Sequence, residues 1–204
     1  MTKPKLTYFD APASRGEECR LALHVAGIDF EDVRLKRPDW MGVKPNSPFG
    51  SVPFLEMPGQ PPLGQSNAIL VLIGRLNDLH PKDLFEAARH EALMCHAEDL
   101  RYAITPSMRM SDDEEKQKAR AALANGYLPT WAANTEKHLS SDGPFISGTK
   151  MHVADIKLYL SVQWLASGAL DHIPATVFDS YPKLNRVYDA VKNDARIRAW
   201  YAKS

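Results

Sequence analysis

Cysteine is scarce in this sequence, which contains only Cys19 and Cys95 among its 204 residues. Proteins built on disulfide bonds use several closely spaced cysteines, and cysteine zinc sites use paired C-x-x-C motifs. Neither arrangement can be built from these two residues. We therefore expect no disulfide framework and no cysteine metal site, and we expect both thiols to be buried as small apolar side chains.

The sequence also lacks net charge and long hydrophobic runs. Lys plus Arg and Asp plus Glu both number 25, so the chain has no basic excess of the kind that attracts nucleic acid or an anionic membrane. The longest apolar run, residues 68–73, is far shorter than the roughly 18 residues that span a bilayer. The first residues contain no apolar signal-peptide core. These features predict a globular cytoplasmic protein without nucleic-acid or membrane partners.

Several catalytic signatures are missing as well. The chain has no G-x-S-x-G nucleophile motif, no Walker loop and no G-x-G-x-x-G motif. Among its seven histidines, His90 and His96 are six residues apart, a spacing that does not place both side chains on one face of a helix. No metal site is therefore expected.

The hydrophobic periodicity changes near residues 79–82. Before this point, strand-like and helical patterns alternate, and after it the pattern is helical throughout. We predict strands over residues 6–10, 30–35, 53–57 and 62–64 and helices over residues 14–27, 66–79, 82–110, 111–139 and 153–167, with two shorter helices around residue 182. Capping boxes at residues 14–17 and 111–114 begin two of these helices. The chain is thus predicted to form two domains, residues 1–80 and 84–204.

Residues 49–66, with the sequence FGSVPFLEMPGQPPLGQS, combine two features of a peptide-binding site. Pro53 has no N–H group and begins a strand, so the main chain of Val52 is free for another partner. Ser66 precedes an apolar run, so we expect it to be the N-cap of a helix whose unpaired N–H groups suit a carboxylate. The segment is therefore predicted to hold both ends of a small acidic peptide.

This segment resembles the glutathione-binding half of the cytosolic glutathione transferases, in which a Val–cis-Pro pair and a Gln–Ser pair hold the tripeptide. Three further motifs follow in the family's order. Leu6-Thr7-Tyr8-Phe9 resembles the first strand of the tyrosine-type classes, Trp40 with Lys44 resembles the sigma-type W-x-x-x-K, and Val153-Ala154-Asp155-Ile156 resembles the core helix of the second domain. The resemblance covers essentially the whole chain and points to a tyrosine-type, sigma-like, bacterial-looking member.

The resemblance implies both a fold and a function. The fold would be an α/β thioredoxin-like N-terminal domain plus an all-α C-terminal domain that contributes the electrophile pocket. The function would be that of a glutathione transferase, a homodimer that activates glutathione, its co-substrate, as a thiolate for attack on a small apolar electrophile. A glutathione-dependent isomerase or peroxidase, or a non-catalytic ligand-binding member of the fold, remains an alternative.

The resemblance also assigns seven residues to glutathione: Trp40, Lys44, Val52, Pro53, Gln65, Ser66 and Asp99. Gln65 and Ser66 would hold the γ-glutamyl end, Val52 the cysteinyl backbone, and Trp40 with Lys44 the glycine carboxylate. Asp99 matches an acidic position that reaches the ammonium group of glutathione in the neighbouring subunit, although it also fits a solvated acid on a helix face. Ser51 stands where the family usually has Gln.

The loop after the first predicted strand offers no cysteine, so any thiol chemistry needs a bound thiol. A thiol with a pKa of about 8.5 needs help to ionise at neutral pH. The resemblance makes Tyr8 the helper, with Arg15 adding positive potential, whereas strand statistics alone favour a packed aromatic side chain for Tyr8. Ser14 stands near the activating position of the serine-type classes and is the rival.

Two further expectations concern the helical part. Tyr102, Met108 and Trp200 are candidates for an apolar pocket, although such residues at helical spacing more often belong to the core. His152 occupies the place where the family usually has a capping Ser or Thr, and we still expect Asp155 to cap the helix from position N3.

Overall fold

The computed structural model describes residues 3–202, which form an α/β part followed by a part made of helices. The α/β part contains a four-stranded sheet with strand order β2-β1-β3-β4. The strands are β1 (Lys5–Phe9), β2 (Glu31–Leu35), β3 (Phe54–Glu56) and β4 (Leu63–Gly64). β2 runs parallel to β1, whereas β3 runs antiparallel to β1 and β4 antiparallel to β3. The predicted fold class, a thioredoxin-like half and a helical half, is confirmed.

Three helices accompany this sheet. They are α1 (Arg15–Val25), the short α2 (Trp40–Val43) and α3 (Ser66–Leu76). α1 is fully buried at Cys19, Ala22 and Leu23, which join the same core as buried residues of β1, β3 and α3. The apolar run that begins α3 buries Ile69 and Leu70, which join the same core.

The remaining helices form the second part. They are α4 (Leu84–Met108), α5 (Asp113–Ala122), α6 (Leu128–His138), α7 (Val153–Ala166), α8 (Pro182–Asn193) and α9 (Ala195–Tyr201). The single helix predicted over residues 111–139 is instead two, because a π-helical turn at Leu123–Tyr127 separates α5 from α6. None of the helices within residues 3–202 combines the length and apolar character that crossing a bilayer requires.

The start of α7 joins the two parts of the molecule. The Val153 N–H donates to the Leu79 carbonyl at 2.9 Å. Asp155 is completely buried and accepts from the backbone N–H of His152 at 2.8 Å and from that of Ile146 at 2.7 Å. The expected N3 cap is therefore confirmed. Burial raises the pKa of Asp155 to about 7, although the two backbone N–H groups oppose this rise.

Four details differ from the sequence predictions. Cys95 is exposed, because it lies on the outer side of α4, whereas Cys19 is buried as expected. The N-cap of α5 is Asp112, since its carboxylate accepts from Glu115 N at 2.9 Å, and not Ser111. The N-cap of α3 is Gln65, and Ser66 is the first helical residue. α3 ends at Leu76, before the predicted end at residue 79, whereas the two short helices predicted around residue 182 are present as α8, which begins at Pro182, and α9.

Candidate functional site

Tyr8 lies near the end of β1 and packs against the first turn of α1. Gly16 makes this approach possible, since a Cβ atom on it would lie 2.6 Å from Tyr8 Cβ. Burial raises the pKa of the Tyr8 phenol, whereas the positive charges of Arg15 and Arg101 act in the opposite direction. The two cations therefore favour negative charge at this hydroxyl.

Arg15 is the first residue of α1 and is held in place by α4. Its Nε and Nη2 atoms both lie 2.7 Å from Glu98 Oε2. Its guanidinium also lies over the ring of Tyr102, 5.6 Å from the centroid, an arrangement typical of a cation–π contact. Contacts with Glu98 and Tyr102 of α4 thus orient the Arg15 guanidinium.

Ser14 is the N-cap of α1, and its hydroxyl is engaged within the loop. The Oγ atom donates to the Ala11 carbonyl at 2.7 Å and accepts from Glu17 N at 3.3 Å. Only this half of the predicted capping box is present, because the Glu17 carboxylate accepts from Trp200 and Arg20. A hydroxyl has one proton to donate, so Ser14 would have to leave Ala11 in order to donate to a thiol.

The Val52–Pro53 peptide bond is cis, as expected. β3 begins at Phe54, so the backbone of Val52 lies outside the paired part of the strand. Gln65 is exposed and has the positive φ of 70° at the entry to α3. This turn makes Gln65 the N-cap in place of Ser66, so Ser66 is buried within the first turn and the N–H groups there are backbone donors for an anion.

Trp40 and Lys44 lie on and directly after the short helix α2. The Trp40 ring meets the Phe9 ring edge to face at 5.9 Å, which places Trp40 close to the end of β1. Lys44 is exposed, and its side chain extends along Gly50. Ser51 is partly buried between this segment and Val52. Trp40 therefore lies at the same end of β1 as Tyr8, and Lys44 follows it directly after α2.

Asp99 lies apart from these residues within one chain. It is exposed on α4, with one carboxylate oxygen 3.9 Å from His96 Nδ1. Its exposure is compatible either with a contact to a second subunit or with a solvated acid.

Four charged residues of this region were missed by sequence reasoning. Lys157 Nζ donates to Glu18 Oε2 at 2.8 Å and to Glu98, and Arg101 Nη2 donates to Glu18 Oε1 at 2.8 Å. Lys157 and Glu18 are completely buried. The available signal was a lysine between Ile156 and Leu158 in a strongly apolar helix.

The three candidates for an apolar pocket do not lie together. Tyr102 and Met108 are exposed on α4. Trp200 packs against Phe30 and His24 and donates its indole N–H to Glu17 at 2.7 Å. A cavity of about 590 Å³, open to solvent, lies between the β1–α1 loop, α7, α8 and α9.

Aromatic and cationic side chains line this cavity. It is bounded by Pro12, Ala13, Tyr159, Leu160, Gln163, Trp164, Ser167, Ala169, Lys192, Arg198 and Tyr201. Arg101 lies against this wall, because its guanidinium donates to the Ala13 carbonyl at 3.3 Å and lies 5.5 Å from the Trp164 ring centroid.

Comparison with known proteins agrees with this geometry. Residues 4–75 match the family described as "Glutathione S-transferase, N-terminal domain", and residues 98–204 match "Glutathione S-transferase, C-terminal domain". Glutathione S-transferase 1 of Ascaris suum is 31% identical, over 99% of this chain and 97% of its own. Hematopoietic prostaglandin D synthase of Gallus gallus is also 31% identical, over 100% of this chain and 97% of its own.

A solved structure supports the same assignment. Prostaglandin synthase D of Nilaparvata lugens is similar with a TM-score of 0.86 and 28% identity, over 98% of each chain. These relatives come from animals, and nothing in the comparisons supports the bacterial character suggested by the sequence. The chain belongs to the glutathione S-transferase family, whose members are enzymes that use glutathione as a co-substrate.

Proposed function

We propose that Tyr8 activates glutathione in this transferase, as in the tyrosine-type, sigma-like members of the family. Its phenol donates a hydrogen bond to the glutathione sulfur and stabilises the thiolate, which then forms a bond with an electrophilic carbon. The observation that carries this proposal is the pair of cations, Arg15 and Arg101, whose charges act on Tyr8, whereas Ser14 donates its proton to Ala11.

Only a modest stabilisation of the glutathione thiolate is required from Tyr8. A free thiol has a pKa of about 8.5, and each decrease of 1 in the pKa corresponds to about 1.4 kcal/mol of preference for the thiolate. One hydrogen bond from a partly buried phenol to a charged acceptor contributes about 1.5–3 kcal/mol. Tyr8, aided by the two arginines, is therefore sufficient to ionise the thiol near neutral pH.

The rest of the tripeptide is proposed to extend between two groups of donors. The γ-glutamyl carboxylate would bind at Ser66 and the N–H groups that begin α3, with Gln65 beside it. Val52, held by the cis bond to Pro53, would pair with the cysteinyl backbone. The glycine carboxylate would bind Trp40 and Lys44, since an indole N–H and an ammonium group are both donors suited to an anion.

The activator can be tested with two matched hydroxyl deletions. Tyr8→Phe should raise the pKa of the bound thiol, measured from the ultraviolet absorbance of the thiolate, and should leave glutathione affinity nearly unchanged. Ser14→Ala should leave the thiol pKa close to that of the wild type. If Ser14→Ala abolished the thiolate and Tyr8→Phe did not, the chain would use the serine-type mechanism and the assignment of Tyr8 would be wrong.

A second candidate activity is glutathione-dependent isomerisation. Relatives named prostaglandin D synthases favour it, and so does the 590 Å³ cavity, whose aromatic wall and two rim cations, Lys192 and Arg198, suit an apolar molecule with an anionic end. A panel of electrophiles, hydroperoxides and isomerisable lipid acids with glutathione would identify the main reaction. Trp164→Ala should weaken binding of the second substrate and spare glutathione binding.

A homodimer forms part of the same proposal. Large apolar side chains are exposed before β3 and at the start of α4, among them Phe49 at 81%, Phe85 at 75% and Leu84 at 85%. In a dimer, Asp99 of the partner subunit would reach the glutathione ammonium group. Sedimentation velocity should give a dimer for the wild type and a monomer for Phe49→Ser, and a monomeric wild type would contradict the proposal. The cytoplasmic location expected from the sequence stays a prediction.

A further inference from the structure

Lys157 is a completely buried lysine in the middle of α7. Burying an ammonium group is costly unless charged partners and hydrogen bonds compensate for the lost water. Lys157 has two such partners, Glu18 from α1 and Glu98 from α4, and Nζ donates to both carboxylates. The lysine therefore connects both parts of the molecule at one point.

Each of these carboxylates holds an arginine with its other oxygen. Glu98 contacts Lys157 through Oε1 and Arg15 through Oε2. Glu18 contacts Lys157 through Oε2 and Arg101 through Oε1. Lys157 is thus the centre of two equivalent arms, each of which runs from lysine to glutamate to arginine.

Both arms end at the β1–α1 loop, directly after the strand that contains Tyr8. Arg15 follows the β1–α1 loop directly, and Arg101 binds the carbonyl of Ala13 in that loop. These arginines are also the two cations that act against the effect of burial on the pKa of Tyr8. The hydrogen bonds from Lys157 hold Glu18 and Glu98 in one orientation, and each glutamate in turn holds its arginine at this loop.

We propose that Lys157 is a positioning residue for thiol activation: by binding Glu18 and Glu98, it holds Arg15 and Arg101 beside the Tyr8 hydroxyl. This inference rests on the proposed role of Tyr8. A lysine that merely docked the two parts of the molecule would affect stability alone, whereas a positioning lysine also affects the ionisation of bound glutathione.

Two variants separate these roles. Lys157→Met removes the ammonium group and keeps much of its volume, but it leaves Glu18 and Glu98 with one cation each. The double variant Glu18→Gln/Lys157→Met removes one anion with the cation and so keeps the net charge of the cluster at its wild-type value. We expect the double variant to recover thermal stability relative to the single variant. If the single variant does not fold, the double variant carries the test.

The decisive measurement is the pKa of bound glutathione, from thiolate absorbance and from the pH dependence of kcat/KM. Both variants should raise this pKa by about 1, so that kcat/KM falls about tenfold at pH values below both pKa values. The KM for glutathione should change less than about twofold, because no proposed binding group is removed. The matched control is Lys116→Met, which removes a surface lysine that also bridges two carboxylates, Asp113 and Asp171.

The outcomes distinguish this inference from the proposed function. A double variant with the wild-type thiol pKa would overturn the positioning role, provided that Tyr8→Phe raises that pKa. Failure of Tyr8→Phe to raise it would overturn the role of Tyr8 and the inference with it. A raised thiol pKa in Lys116→Met would overturn the specific role of Lys157.

Discussion

Replacement of the buried capping acid, Asp155→Ala, should destabilise the protein most strongly at mildly acidic pH. Two buried backbone donors, the N–H groups of His152 and Ile146, would lose their acceptor. An unsatisfied buried donor costs about 1–3 kcal/mol, so the variant should lose about 2–6 kcal/mol of unfolding free energy at pH 5. The folded fraction of Asp155→Ala should bind glutathione with the affinity of the wild type.

The pH dependence of this loss follows from the raised pKa of Asp155, about 7 in the folded protein. Because the unfolded chain releases this proton near its ordinary pKa of 3.8, the folded state binds more protons between these two values. The stabilisation from Asp155 is therefore complete below the lower value and decreases by about 1.4 kcal/mol per pH unit as the pH rises toward 7. The difference in unfolding free energy between the wild type and Asp155→Ala should therefore decrease between pH 5 and pH 8.

Denaturant unfolding of both proteins at pH 5, 6, 7 and 8 measures this difference directly. Asp112→Ala is the control, since Asp112 caps α5 from an exposed position and its removal should cost about 1 kcal/mol. A constant difference across the four pH values would refute the argument from burial. A melting curve identical to that of the wild type would show that the Asp155 cap does not stabilise the fold.

Two further predictions concern a glycine and a buried histidine. Gly16→Ala should destabilise the protein by about 1–3 kcal/mol and lower activity, because the new Cβ would displace Tyr8; wild-type kcat would contradict this. Burial lowers the pKa of His90 to about 3, so stability should fall by about 1.4 kcal/mol for each pH unit below 6.5. His90→Gln can keep the contact with Ser147 and should make acid unfolding less steep, whereas an equally steep acid transition in this variant would rule out a contribution from His90.

The order of strands and helices could be predicted from hydrophobic periodicity. The apolar run of α3 is a strong local signal, and the structure buries Ile69, Leu70 and Ile73 from it. The N-cap of α3 could not be predicted, because it depends on the positive φ of Gln65, which few non-glycine residues adopt. The π-helical turn after α5 leaves no comparable signature in the sequence.

The residues near Tyr8 show a different limit of prediction from the sequence. The resemblance supplied Tyr8 through the motif Leu6-Thr7-Tyr8-Phe9, and Arg15 was a candidate because it stands at the start of the first predicted helix. Lys157 and Glu18 are separated by 139 residues, and each taken alone is an ordinary charged residue in a helix. Their pairing depends on how α1 packs against α7, a tertiary property that periodicity does not encode. The same limit applies to Cys95, whose exposure depends on what covers that side of α4.

The contact between Trp200 and Glu17 has a consequence for protein synthesis. The indole reaches the buried carboxylate across 183 residues of sequence. During translation the α/β part emerges first, as is usual for N-terminal domains, but α1 cannot complete its contacts until residue 200 has left the ribosome. Nascent chains stalled before this residue should therefore be cleaved by protease within α1 more readily than the released protein.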